Sequence, residues 1–178
     1  MAQLHPPVNE NDHVKGPSIA QIELVEYGDY QCSHCGAAHP VVKAIEKAYA
    51  GNLQFVFRHF PLSEAHPYAE AAAFAAEAAG RQEKFWQMHD IIFENQHQLN
   101  IESLYDFAHT LKLDMRSFEK DFADGEIAEK VESDFESGVR SGVNGTPSFF
   151  INGYKYNGMH DFESLAGTID SVMAARHI

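Results

Sequence analysis

The sequence predicts an α/β domain built as strand, helix, strand, then a long all-helical stretch, then strand, strand, helix. Three observations carry that reading. Segments near residues 19–27 and 53–57 alternate in polarity and are rich in β-branched and aromatic side chains, with a helical pattern between them. From about 61 to 142 apolar residues recur at three- and four-residue spacing. Strand character returns at Ser148 to Ile151, ahead of Asn152-Gly153, a dipeptide favoured in tight hairpins. At 178 residues the chain has single-domain length and can bury about 70% of its unfolded surface, so its core needs no covalent staples.

Residues 1–18 hold Pro6, Pro7, Gly16 and Pro17 among polar residues and read as an extended arm with turns. In the strand Ile19 to Tyr27, Ile22, Leu24 and Glu26 share one face while Glu23, Val25 and Tyr27 share the other. An acid thus sits on the strand's most apolar face. After the Gly28-Asp29 break, residues 33–50 are helical, with Val41, Val42, Ile45 and Tyr49 at helical spacing and Pro40 predicting a kink. Leu53 to Phe57 is the second strand, ending before Pro61. Two strands joined by one helix are most simply parallel, with a right-handed crossover.

The helical stretch is predicted to carry a core of its own. Ser63 or His66 can cap a helix with Pro67 in its first turn, running through the alanines to Gly80. A helix over about 82–97 carries Phe85, Met88 and Ile92. The next, over 101–111, has Ile101, Leu104, Tyr105, Ala108 and Leu111 on one stripe. Asp114 caps a short helix ended by Gly125, and Ile127, Val131, Phe135 and Val139 form the stripe of the last insertion helix. After the hairpin, whose second strand is Tyr154 to Tyr156, a closing helix from about Asp161 carries Phe162, Leu165, Ile169, Val172 and Met173.

Charge narrows the function. Thirteen Lys and Arg against twenty-six Asp and Glu give a formal charge of -13, which repels nucleic acid backbones and anionic membranes. The alanine-rich window falls short of a membrane span, and the N-terminal residues carry no secretory signal pattern. The chain as written is expected in the cytoplasm, or in the periplasm or outside the cell if a leader has been removed.

Two cysteines are too few for a disulfide framework, so their expected job is chemical. Cys32-Ser33-His34-Cys35 puts two thiols at a helix start, close enough to bridge, with Cα atoms under ~7 Å apart. The unpaired amides and dipole of that helix start favour an anion at Cys32, which makes it the attacking thiol. Cys35, one turn inside, suits the resolving role. His34 adds an imidazole beside Cys32 and is predicted to lower its pKa further.

These features together resemble the DsbA family of thioredoxin-fold proteins. They are the strand ending in an acid, the CxHC motif, the helix with Pro40, the helical insertion, and Gly145-Thr146-Pro147 before a strand. The likeness covers about residues 12–175. It implies a thioredoxin-like core over about 19–60 and 143–178, an insertion over 61–142, and an arm over 1–18, all one domain. It further implies that Cys32 is the nucleophile, Cys35 the resolving thiol, and Thr146-Pro147 a cis-proline loop. In that loop the Thr146 backbone pairs with an extended peptide substrate. DsbA is itself a standard example of a low-pKa cysteine, so that property is implied by the resemblance. Glu26, six residues before Cys32, matches a buried acid of some members and is read as a proton relay for Cys35. Ser33 departs from the proline common in the family, and together with the missing leader it leaves the direction of electron flow open. The partners implied are cysteine-containing proteins or peptides and a redox partner, with no cofactor and no metal.

Rival readings remain at this point. Cys32 and Cys35 are also half of a zinc ligand set, though the sequence holds no second cysteine pair. Kappa-type glutathione transferases and chromene-carboxylate isomerases are similar in architecture but use a single serine or cysteine. A peptide-binding holdase is the non-enzymatic alternative. His5, His13, His39, His59, His66, His89, His97, His109, His160 and His177 read as surface or interhelix polar residues.

Overall fold

The computed structural model describes residues 2–175; residue 1 of the expected arm, and residues 176–178 with His177, lie outside the described residues. A five-stranded sheet in the order β1-β3-β2-β4-β5 organises the chain. β2 (Ile22–Gly28) and β3 (Leu53–His59) pair in parallel across the crossover helix α1 (Ser33–Ala48). β4 (Ser148–Ile151) runs antiparallel to β2, and β5 (Tyr154–Lys155) extends the edge antiparallel to β4. Between β3 and β4 lie α2 (Ala69–Gly80), α3 (Phe85–Glu94), a 3-10 turn at Gln96–Gln98, α4 (Ile101–Thr110), α5 (Met115–Phe122) and α6 (Gly125–Arg140). α7 (Phe162–Ala175) closes the fold and packs on α1.

The arm is more ordered than its prolines and polar residues imply. β1 (His13–Lys15) adds an antiparallel strand to the outer edge of β3. Three residues are too few to show a period. What fixes the arm is Arg58 of β3, buried, whose guanidinium donates to both Asp12 carboxylate oxygens at 2.8 Å and to the carbonyls of Pro6 and Pro7. A buried guanidinium needs partners for its donors, and the arm supplies them.

The insertion shares its core with the sheet rather than having one of its own. Ile22, Leu24, Phe55, Phe57, Phe149 and Ile151 belong to the same buried cluster as Ala72, Met88, Leu104, Phe118 and Ile127. Five short helices leave too little apolar surface facing one another to dispense with the sheet. The opposite sheet face, with Val25, Tyr27, Val56 and Phe150, is covered by Leu4, Phe60 and Val143.

Several boundaries shift. β2 begins at Ile22, leaving Ile19 exposed. Neither Ser63 nor His66 caps α2, which starts at Ala69 behind Tyr68 without a side-chain cap. Gly125 opens α6 instead of ending α5, because the Asp124 carboxylate accepts from the Glu126 N–H and caps the new helix. Val139 and Ile101 point outward despite their spacing. His39, His59 and His89 are buried, packed on aromatic rings such as Phe93 and Phe57.

Candidate active site

β2 runs Glu26 into the core and stops at Gly28, where a Cβ would lie 2.4 Å from the Phe57 ring. The chain must then turn into α1 with Cys32 at the position before the helix, φ -69° and ψ 122°, making no side-chain cap. Asp29 does the capping work from three residues upstream. Its side chain is wholly buried; Oδ1 accepts from the N–H groups of Gln31 at 2.7 Å and Cys32 at 3.1 Å. Oδ2 accepts from the Leu62 N–H at 2.9 Å and from His66 Nδ1 at 2.7 Å. Gln31 Oε1 accepts from the Tyr68 N–H, and Gln96 Nε2 donates to the carbonyls of Tyr30 and Cys32. The redox loop is therefore fastened to the start of the helical insertion and to its middle, at the turn between α3 and α4.

Both cysteines are free thiols and buried. The Cys32 thiol is pulled down to about 5, first by a hydrogen bond from the Cys35 thiol, then by Thr146 and the backbone N–H groups of Cys35 and His34 outweighing the cost of burial. Burial pushes the Cys35 thiol far up, and its bond to Cys32 and the charge of Glu26 add to this. The Asp29 N–H lies 3.5 Å from Cys35 Sγ. One thiol is thus ready to ionise and the other is held protonated, an asymmetry that desolvation and amide donors create together.

Glu26 lies opposite Phe57 on β3 and Phe149 on β4, on the same face as Ile22 and Leu24. Its carboxyl is buried with Oε1 lacking any partner, and burial first, then the Cys32 charge, raise it to about 8. Thr146-Pro147 faces the cysteines. The Thr146–Pro147 peptide is cis, and the Thr146 carbonyl lies 3.5 Å from Cys32 Sγ. His34 is exposed, and the contribution it makes at Cys32 comes from its backbone N–H, not its ring. Its imidazole acts on His160, which burial and then the charge of His34 push down.

Asp29, His66 and Gln96 were not singled out by sequence as site residues. Asp29 had a usable signal, since an Asp bonding the N–H two residues on is a recognisable turn device ahead of a helix. Gln96 had none. Among the described residues, the groups with metal-ligand spacing are His39, His89, Asp90 and His59, Glu77, Asp134. Neither includes Cys32 or Cys35. No helix among the described residues is long and apolar enough to cross a membrane.

A buried, electronically asymmetric CxxC pair at a helix start, facing a cis X-Pro peptide on a mixed sheet, defines a thioredoxin-class site. A thioredoxin family model matches residues 8–171, and the chain belongs to that family. Among solved structures, alpha-DsbA1 of Wolbachia pipientis is similar over 97% of this chain and 95% of its own, with TM-score 0.85 and 25% identity. A thioredoxin-like oxidoreductase of Silicibacter pomeroyi is similar over 96% and 95%, with TM-score 0.79 and 25% identity. The first of these is a DsbA by name, in keeping with the resemblance carried by the CxHC and Thr-Pro motifs. In sequence, the chain is 40% identical over 169 residues to the Na(+)/H(+) antiporter NhaA 1 of Salinispora arenicola. That match takes in 95% of this chain but only 26% of the antiporter, so the chain spans about a quarter of the length of that relative.

Proposed function

We propose that this protein is a thiol-disulfide oxidoreductase acting on cysteines of protein or peptide substrates through Cys32 and Cys35. The observation that carries the reading is the opposed pair of thiols, Cys32 drawn down to about 5 and buried Cys35 driven up, at the start of one helix.

In the reductive direction the Cys32 thiolate attacks one sulfur of a substrate disulfide. A Cys32–substrate disulfide forms and the other substrate sulfur leaves as a thiolate. Cys32 has then lost its charge, so one of the two causes that raise Glu26 disappears and its carboxyl ionises more readily. Glu26 takes the Cys35 proton, and the Cys35 thiolate attacks Cys32 Sγ. The substrate's second thiolate is released and the Cys32–Cys35 disulfide is left behind. Oxidation of a substrate dithiol is the same sequence reversed, and the redox poise of the compartment sets which way it runs.

The Thr146 backbone, beside Cys32 Sγ, holds the substrate segment by strand-like pairing. His34 acts on Cys32 through its main chain. The partner is a cysteine-bearing protein plus a thiol or disulfide that resets the pair.

Glutathione transfer is disfavoured by Cys35, whose attack on a Cys32–glutathione disulfide would end the transfer. Insulin-reduction and glutathione-coupled assays on wild type and Cys32→Ser separate the readings. Turnover that vanishes in Cys32→Ser is the expected result. Glutathione conjugation without insulin reduction favours a transferase, and no thiol chemistry in wild type favours a holdase.

A further inference from the structure

Gln96 takes no part in the sulfur chemistry above, yet its side chain meets the redox loop at two points. Its carboxamide nitrogen donates to the carbonyls of Tyr30 and Cys32, both at 2.8 Å. Both partners are acceptors only, so the atom facing them is the amide nitrogen. The Cys32 carbonyl is also the first acceptor of α1, taking the Gly36 N–H at 3.0 Å. On the other side of the carboxamide, Oε1 lies 2.4 Å from where a Cβ on residue 36 would be, and Cδ lies 3.0 Å from it. Clearance, not backbone angle, is what residue 36 needs from glycine, because it lies inside the helix.

Asp29 holds the N–H groups of Gln31 and Cys32 just before α1, but no side chain at the N-cap position holds those of its first turn. Cys32 stands where Ser, Thr, Asp or Asn would supply a capping oxygen, and no side-chain cap is made there. It stands at the N-terminal end of α1, where the first turn's free N–H groups and the helix dipole favour its thiolate. An uncapped first turn frays easily, and fraying would carry the helix end away from Cys32. Gln96 comes from the 3-10 turn between α3 and α4, far along the chain, and grips the loop on both sides of Gln31.

We propose that Gln96, seated against Gly36, is a positioning residue that holds the Tyr30 and Cys32 peptide units so that Cys32 stays at the N-terminal end of an intact first turn of α1. The insertion thereby sets the reactivity of the redox pair. The proposal deepens the thiol-disulfide reading and rests on it. Because the carboxamide is neutral, its loss alters alignment without altering charge, which fixes the sign of the effect.

The test uses the reduced full chain as wild type, Gln96→Ala and Gly36→Ala, reading thiolate absorbance against pH together with the thermal midpoint. In both variants the thiolate-to-thiol ratio of Cys32 at fixed pH is expected to fall about threefold to tenfold, the scale of one or two neutral hydrogen bonds. Gly36→Ala displaces only the flexible end of Gln96 and puts a better helix former into α1, so its thermal midpoint should hold or rise. A merely structural role for Gln96 leaves the Gly36→Ala titration where wild type has it, and that result overturns the proposal. If Gln96→Ala does not fold, Gly36→Ala decides alone. A wild type that titrates with an acidic thiol, shifted in both variants, yet exchanges no disulfide with glutathione, sinks the functional reading and leaves the clamp standing.

Discussion

Replacing Glu26 with Gln should expose an opposition between two buried groups in the reduced protein. Glu26 is raised to about 8, against 4.5 for a free carboxyl. The folded state therefore keeps a proton that the unfolded chain has released. Its contribution is fully present below about pH 4.5 and is lost as pH rises through 8, at about 1.4 kcal/mol per pH unit and about 3 kcal/mol by pH 7. Cys32 does the reverse. Lowered from 9.0 to about 5, it contributes fully above pH 9 and loses that contribution as pH falls through 5. Between about pH 5 and 8 the two slopes offset each other in wild type. Glu26→Gln leaves the Cys32 slope alone, so its stability relative to wild type should climb with pH by about 1.4 kcal/mol per unit. Cys32→Ser leaves the Glu26 slope, so its stability relative to wild type should fall at the same rate. Urea unfolding of the three reduced proteins across that range is the assay. Parallel stability profiles for all three would refute the buried, mostly protonated carboxyl.

Glu26→Gln should also flatten the pH dependence of mixed-disulfide resolution in a rapid acid-quench experiment; an unchanged profile removes Glu26 from the proton path. Asp29→Ala leaves the Gln31 and Leu62 N–H groups and His66 without their side-chain acceptor, and should cost about 2–4 kcal/mol in urea unfolding. A loss under about 0.5 kcal/mol, the size of an ordinary surface change, would show that the loop is held by other means. Gly28→Ala forces a Cβ against the Phe57 ring and is expected to lose about 1–3 kcal/mol by the same measure, with wild-type stability counting against the packing described. Burial alone would raise Glu77, but bonds from His13 and His59 hold it well below 4.5. Its stabilisation is present above that value and lost as pH falls below it, so Glu77→Gln should weaken the neutral protein and flatten its acid limb.

The order of elements was legible because their periods differ: alternation in Ile22 to Tyr27, four-residue recurrence in Ile127 to Phe135. The same alternation put Glu26 on the buried face beside Ile22 and Leu24. What the pattern could not carry was anything decided by distant partners. His13–Lys15 becomes a strand because β3 offers an open edge and Arg58 needs Asp12. Gly125 reads as a stop in one dimension, but Asp124 turns it into a start. Asp29 and Gln96 are ordinary polar residues until the fold brings Leu62, His66 and the Cys32 carbonyl to them. His34 looked important by adjacency, whereas its side chain is exposed. The cysteine pair needed no fold to be noticed, since spacing and scarcity marked it.

The most direct test of the redox account is to incubate Cys35→Ser and Cys32→Ser separately with oxidised glutathione and weigh the products. The account predicts a mixed disulfide that forms quickly and persists on Cys32 in Cys35→Ser, with little or none on Cys35 in Cys32→Ser. Equal labelling of the two variants, or faster labelling of Cys35, would contradict it.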